Sequence, residues 1–292
     1  MSALQAVVYV NGRITPAADA VVPVFDHGFL YGEGVYETLR TYRREPFLFG
    51  PHMGRLRRSA GLMALDVPFT DAQCQDWIAD TMAAHDRMLG TLPEAYIRIL
   101  LTRGVGALTY NPDACPTPTL VIIVKTFPAP PERTFTEGIA VALVDVRRNH
   151  PRALNPTIKS NNLLNNALAM QEALRHNAEE ALMQNHDGHI VECSQSNFFI
   201  VTGGRLRTAP LADGLLPGIT RQFVMDLASD LGIQTDERSF TPDDVYAADE
   251  AFITGTTREV TPVVRVGERA IGAGKPGAVT RRLLNEFRLR VG

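Results

Sequence analysis

The stretch PAPPER at residues 128–133 sets three prolines in six positions of a 292-residue chain. Proline locks its own φ and restricts the residue before it, so neither a helix nor a central strand runs through such a stretch. Little can pack across so stiff a connection, which marks a junction between domains. Mixed α/β patterns stand on both sides of it. Before it, AVVYVNG at 6–12 alternates and turns at Asn11-Gly12 as a hairpin does. GVYETLRTYRREPFLF at 34–49 reads as two strands about a polar turn. PHMGRLRRSAGLMALD at 51–66 and TDAQCQDWIADTMAAHDRML at 70–89 show helical spacing, with Pro51 in a first turn and Thr70 as a cap. EAYIRILLTRG at 94–104 and TLVIIVKTF at 119–127 are strands, and the segment between them is a long irregular loop.

Beyond the prolines, GIAVALVDV at 138–146 is a strand and NNLLNNALAMQEALRHN at 161–177 a helix. Short strands with turns at Asp187-Gly188 and Gly203-Gly204 follow, then a helix at 218–232, a strand at 250–256 and a terminal helix at 277–289. The pattern predicts an α/β (α+β) chain. It has a small N-terminal α/β domain over 1–127, a linker over 128–134, and a larger C-terminal α/β domain over 135–292 carrying Lys159.

The balance of 45% hydrophobic and 21% charged residues is that of an ordinary globular chain. A net charge of −3 and only short basic runs, RLRR at 55–58 and TRR at 280–282, give no reason to expect a nucleic-acid partner. The longest apolar runs are strand length, far short of a membrane span. MSALQAVVYVNG lacks the pattern of a secretory signal, so a cytoplasmic location is expected. Cys74, Cys115 and Cys193 are odd in number and scattered, and no histidines group at ligand spacing, so neither disulfides nor a metal are expected.

Lys159 stands just before the helix of NPTIKSNNLLNNALAMQEA, at the end where a helix dipole disfavours a cation. A surface lysine tolerates that; a half-buried one there has an adjustable charge. LLPGITRQF at 215–223 puts Pro217 and Gly218 before a helix, with the amides of Gly218, Ile219 and Thr220 and the Thr220 hydroxyl at its start. This is a natural phosphate seat, although an ordinary helix start has the same pattern. Thr256 and Thr257 in ITGTTREVTPV add donors or form a plain turn; Arg55 supplies positive charge or is a solvated helix arginine. Glu192 shares a strand face with Ile190, which suits either a paired buried acid or an edge residue. Period two aligns Tyr36, Thr38 and Arg40 on one face of one strand and Tyr96 and Arg98 on one face of another. Arginines so placed can fork onto carboxylates, or can face solvent. A lysine amine, a phosphate seat, an inward acid and carboxylate clamps together suit pyridoxal phosphate, whose aldehyde joins an amine and whose protonated ring accepts electrons.

The chain resembles the fold-type IV pyridoxal phosphate enzymes, the class IV aminotransferases. These include branched-chain amino acid aminotransferases, D-amino acid aminotransferases and aminodeoxychorismate lyases. The resemblance spans nearly the whole chain and rests on FDHGFLYGEGVYETLR, HMGRLRRSA, IKSNNLLNNALAMQEA, DGHIVECSQSNFFIV, LLPGITR and ITGTTREVTPV, in that order. It implies a two-domain, D-amino acid aminotransferase-like fold with pyridoxal 5'-phosphate as cofactor. It makes Lys159 the lysine that joins the cofactor and shuttles the proton. Glu192 becomes the acid on the ring nitrogen, and Arg55, Gly218, Ile219, Thr220 and Thr256 the phosphate ligands. Tyr31, Tyr36, Thr38, Arg40, Tyr96, Arg98 and Thr257 line the substrate pocket. It further implies a homodimer, possibly assembled further, whose 104–116 loop helps cover the partner's site, and small-molecule amino acid and 2-oxo acid substrates.

The stretch from Tyr96 to Ile123 resembles the branched-chain type, and no histidine occurs between His85 and His150, where D-amino acid enzymes carry one beside an arginine. Leu164 replaces a tyrosine common in branched-chain enzymes, as in some D-amino acid enzymes, and Thr38 replaces a glycine, resembling the lyase or the D-amino acid side. The expected activity is ping-pong transfer of an amino group between a branched-chain or other apolar L-amino acid and 2-oxoglutarate. D-amino acid transamination is the alternative, followed by aminodeoxychorismate lysis. A non-catalytic binding protein is the reading from another class.

Overall fold

The structure is a computed structural model describing residues 5–292; residues 1–4, part of the stretch read above as lacking a secretory signal, lie outside the described residues. The chain is a mixed α/β fold of two compact units, Met1–Pro128 with Ile158–Asn162, and Ala129–Thr157 with Leu163–Gly292.

In the first unit β1 (Ala6–Val10) and β2 (Arg13–Pro16) form a hairpin whose turn residues Asn11 and Gly12 both have positive φ. That geometry matches the right-handed twist of the strands. A short α1 (His27–Tyr31), not anticipated from periodicity, has Asp26 as its cap. It is followed by β3 (Gly34–Tyr42), β4 (Glu45–Pro46), α2 (Phe49–Gly61), α3 (Asp71–Leu89), β5 (Ala95–Thr102) and β6 (Thr119–Thr126). The six strands make an antiparallel sheet in the order β2-β1-β6-β5-β3-β4. One face, with Val35, Leu39, Ile97, Ile99, Leu101, Ile122 and Val124, is buried with Met53, Leu56 and Ala60 of α2 and Ile78 and Met82 of α3. The alternate residues Tyr36, Thr38, Tyr96 and Arg98 are half-buried on the other face.

The second unit contains α4 (Arg133–Thr136), β7 (Ile139–Leu143), α5 (Leu164–Arg175), β8 (Glu180–Gln184), β9 (Ile190–Cys193), β10 (Asn197–Thr202) and β11 (Arg205–Thr208). It continues through α6 (Ile219–Asp230), β12 (Thr235–Glu237), α7 (Pro242–Tyr246), β13 (Glu250–Gly255), β14 (Glu259–Val266), β15 (Arg269–Ala270) and α8 (Ala278–Val291). The strands run in the order β12-β11-β10-β13-β14-β7-β8-β9, with β15 on β14. Because β9 also pairs with β10, at Asn197↔Glu192, the strands from β10 round to β9 close into a ring. The contact gives β9 a neighbour on its outer side, while β12 stays at an edge of the sheet.

The expectation that Lys159 belongs to the C-terminal domain differs from the observed units, because Ile158–Asn162 joins the first. The physical reason is strand pairing. Ser160 bridges Val35, the Lys159 carbonyl accepts from the Tyr36 amide (2.9 Å), and the Asn161 amide donates to the Gly34 carbonyl (2.8 Å). The helix after it begins at Leu164 rather than near 161. Lys159 therefore lies outside the first turn, where the dipole acts, and the electrostatic cost expected for it does not arise.

Candidate active site

Lys159 is half-buried in the extended segment laid against β3, and its backbone amide donates to Ser59 Oγ on α2 (3.1 Å). Backbone bonds on both sides thus hold the residue in place. Its Nζ lies 4.5 Å from the centre of the Tyr36 ring, and Arg98 Cζ lies 4.1 Å from the same ring. Two cations on one aromatic ring are held by its quadrupole. The register places Thr38 directly opposite Arg98 and Arg40 opposite Tyr96, so the residues aligned from the sequence do share a face. Lys125 Nζ adds a further cation 5.0 Å from the Tyr96 ring. This surface attracts anions.

Arg40 differs from the other members of that face. It is buried, and its Cζ is 3.9 Å from the ring centres of both Tyr42 and Phe127. The guanidinium is sandwiched. Tyr31 closes α1, its ring 4.9 Å from that of His27 and 5.1 Å from that of Tyr110 in the 104–116 loop.

Arg55 is buried on α2 and engages Glu37 with two nitrogens, Nε to Oε1 and Nη2 to Oε2, each at 2.7 Å. His52, one helical turn earlier, has Nδ1 2.7 Å from Glu37 Oε2. Burial alone would raise the Glu37 pKa; the Arg55 guanidinium and the bonds from Arg55 and His52 outweigh it and hold the carboxyl down at about 2. Burial is also the main reason the His52 pKa is lowered, against the opposing pull of Glu37. Glu37 and His52 escaped the sequence reading: alternation places Glu37 with Val35 and Leu39, but nothing local names its partners.

In the second unit Glu192 is buried on β9. Arg148 Nε donates to Oε1 (2.7 Å), while the Leu216 amide (3.1 Å) and Asn197 Nδ2 (3.3 Å) donate to Oε2. Of the two readings open for Glu192, the paired inward acid is the one found. Its cation, Arg148, sits in a run VRRNH that looks like surface charge and gave no signal. Arg148 is itself braced by Asn165 Oδ1 on α5 (3.1 Å).

Gly218 is the N-cap of α6, with Ile219 and Thr220 in its first turn, and among the described residues no side chain caps this end. The first amides of a helix have no partner within it, so an uncapped start with its positive dipole end suits an anion. Thr256 and Thr257 are half-buried in the turn between β13 and β14. Two residues upstream, the Thr254 hydroxyl is buried and has no hydrogen-bond partner among the described residues. A buried donor left unmade costs free energy unless something meets it. Within this unit a buried carboxylate and an uncapped helix start suit the ring nitrogen and the phosphate of pyridoxal phosphate, and in the first unit the half-buried Lys159 offers an amine of the kind its aldehyde takes.

Comparison with known proteins agrees with this chemistry. Residues 34–266 match the family described as amino-transferase class IV. A putative branched-chain-amino-acid aminotransferase of Methanocaldococcus jannaschii is 39% identical over 281 residues, covering 96% of this chain and 95% of that protein. A D-alanine aminotransferase of Bacillus licheniformis is 32% identical over 274 residues, covering 94% and 93%. Among solved structures, the branched-chain amino acid aminotransferase of Escherichia coli superimposes with a TM-score of 0.89 at 30% identity, covering 98% of this chain and 94% of that one. With the family match spanning most of its length and a relative this similar end to end, the chain belongs to the class IV aminotransferases, the pyridoxal phosphate-dependent aminotransferases of fold type IV.

Proposed function

We propose that this aminotransferase moves the amino group of branched-chain or other apolar L-amino acids to 2-oxoglutarate by a ping-pong route. The observation that carries the reading is the Lys159 amine, half-buried over Tyr36 on the sheet face that also presents Thr38 and Arg98. When bound, pyridoxal phosphate supplies an aldehyde for condensation with amines and a cationic ring that accepts electrons as the α-proton leaves. Lys159 Nζ takes that proton from the substrate α-carbon and returns it during the exchange. Glu192, held by Arg148, Asn197 and the Leu216 amide, presents a carboxylate to the protonated ring nitrogen. Gly218, Ile219 and Thr220 would hold the phosphate with amides and a hydroxyl, joined by Thr256, and the family resemblance assigns Arg55 to phosphate as well. Tyr36, Thr38, Tyr96 and Arg98 form the substrate surface, with Arg98 oriented to a carboxylate, Tyr31 and Arg40 at its margins and Thr257 near the substrate carboxylate.

The name of the Methanocaldococcus relative and the branched-chain resemblance from Tyr96 to Ile123 support the L-amino acid assignment. D-amino acid transamination is the second reading; Leu164, Thr38 and the Bacillus relative favour it. Side-by-side rates with L-leucine, D-alanine and D-glutamate, each with 2-oxoglutarate, decide between them. The assignment expects turnover with L-leucine; turnover confined to the D-substrates would overturn it. Lys159→Ala is expected to reduce turnover to a trace in the absence of added amines.

The same reading includes a homodimer. Val21, Val24, Phe25, Phe29, Leu108 and Tyr110 are all exposed. They occupy two stretches tied by the Asp26↔Val105 bridge and by the Gly106 amide on the Phe25 carbonyl. An apolar surface so concentrated suits association with a second copy.

A further inference from the structure

We propose that Asn197 is a positioning residue that couples the Glu192 carboxylate to the N-terminus of α6, so that the ring-nitrogen contact and the phosphate seat behave as one body. The inference rests on the reading of Glu192 and the α6 start as cofactor ligands.

Glu192 and Asn197 are the register pair at which β9 meets β10 and the ring of strands closes, so their side chains leave on the same face. Asn197 is 5% exposed. Its Nδ2 donates to Glu192 Oε2 (3.3 Å) and to the Leu216 carbonyl (3.0 Å). The Leu216 amide returns a bond to the same carboxylate oxygen (3.1 Å). Both amide hydrogens are thereby used, and both partners are acceptors. That settles which way the amide points, because the flipped form would set its oxygen against two oxygens.

Asn197 Oδ1 therefore faces away from Glu192, toward Gly218. A Cβ on Gly218 would collide with Oδ1 and lie 3.1 Å from Asn197 Cγ. Gly218 has φ −67 and ψ 133, an extended conformation open to any residue. Space, not backbone strain, demands glycine here; Asn197 Oδ1 is the nearest atom in that space, with Arg221 Cβ 3.1 Å from the same position. One side chain thus bonds the acid, bonds the segment leading into α6 and abuts the helix N-cap. A shift of α6 displaces Asn197, and with it a donor to Glu192. A residue that served only the fold would transmit nothing from one end to the other.

The experiment uses the full-length apoprotein of wild type, Asn197→Ala, Gly218→Ala and the double variant, with thermal melts to establish folding. Each is titrated with pyridoxal 5'-phosphate, and the pH dependence of the bound cofactor's visible absorbance is recorded. Both single variants should bind about tenfold more weakly or worse, and the double variant should fall well short of the summed losses, because removing the amide relieves the main collision and leaves only the looser one with Arg221 Cβ. Gly218→Ala, a change at the phosphate seat, should move the absorbance pH midpoint in the wild-type background and leave it unmoved in the Asn197→Ala background. If Asn197→Ala fails to fold, Asn197→Asp, which keeps the volume but sets oxygen against oxygen, should show the same loss of affinity. Gly218→Ala weakening binding with no change in the midpoint, or additive losses in the double variant, would refute the coupling. Wild-type apoprotein that takes up no pyridoxal phosphate would overturn the functional reading, and the coupling with it.

Discussion

Glu37 shows how much a single side chain depends on neighbours far from it in sequence. Its carboxyl is fully buried yet held down at about 2 by Arg55 and His52, against an ordinary value of 4.5. A carboxyl whose folded-state pKa is depressed stabilises the fold above its unfolded value and loses that contribution as pH falls through the folded one. The window is thus about pH 4.5 down to 2, and the stabilisation at stake is on the order of 3 kcal/mol. Denaturant unfolding of wild type should show stability falling across that window. Glu37→Gln should remove that part of the slope and be less stable at neutral pH, by roughly 3–5 kcal/mol, because the buried cluster would lose the carboxylate charge while Arg55 keeps its own. A Glu37→Gln protein as stable as wild type at neutral pH would show that the buried cluster contributes nothing net. Alternation in VYETL places Glu37 on one face with Val35 and Leu39. It could not name Arg55 as the partner, since that pairing spans 18 residues and two elements. The same holds for Glu192: its strand face suits a paired inward acid, but its cation Arg148 lies 44 residues away.

Among the elements, those with strong local signals formed nearly where their residues indicate. α3 begins at Asp71 behind Thr70, whose hydroxyl accepts from the Gln73 amide (3.2 Å) while Gln73 Oε1 accepts from the Thr70 amide (2.8 Å). This reciprocal cap satisfies two amides at an exposed helix start. Thr70→Ala should cost about 1 kcal/mol, visible as a lower denaturation midpoint with an unchanged slope and unaltered cofactor uptake. An unchanged midpoint would mean that water replaces the hydroxyl without loss. The segment around Lys159 lacked such a signal. Ile158–Asn162 is extended because β3 offers it backbone partners, and α5 starts later without a side-chain cap. Helical spacing from 161 onward was read one turn too early, since pairing to a distant strand leaves no mark on local periodicity. The short α1, α4 and α7 were missed for a related reason: at four or five residues they carry too little periodicity to register.

For the molecule as a whole, the cluster of exposed apolar side chains from Val21 to Phe29 and in the 104–116 loop is the feature most in need of a partner. Phe29 is 71% exposed and Tyr110 81%. Phe29→Asp should shift the protein toward monomer in sedimentation velocity, with little change in the melting of the isolated chain, since the ring makes few contacts within it. Wild type sedimenting as a monomer at micromolar concentration would end the dimer assignment. The two-unit α/β character, the strand faces and well-marked helix starts such as that of α3 could be read from alternation, 3.6-residue spacing, caps and turn residues, because each is set by neighbours within a few positions. The closing of the second sheet at Glu192↔Asn197, the transfer of the Lys159 segment to the first unit, and the clamps on Glu37 and Glu192 came from contacts between residues distant in the chain. Such contacts form when burial and unpaired backbone groups find partners across the fold, and no short window of sequence records which partner that is.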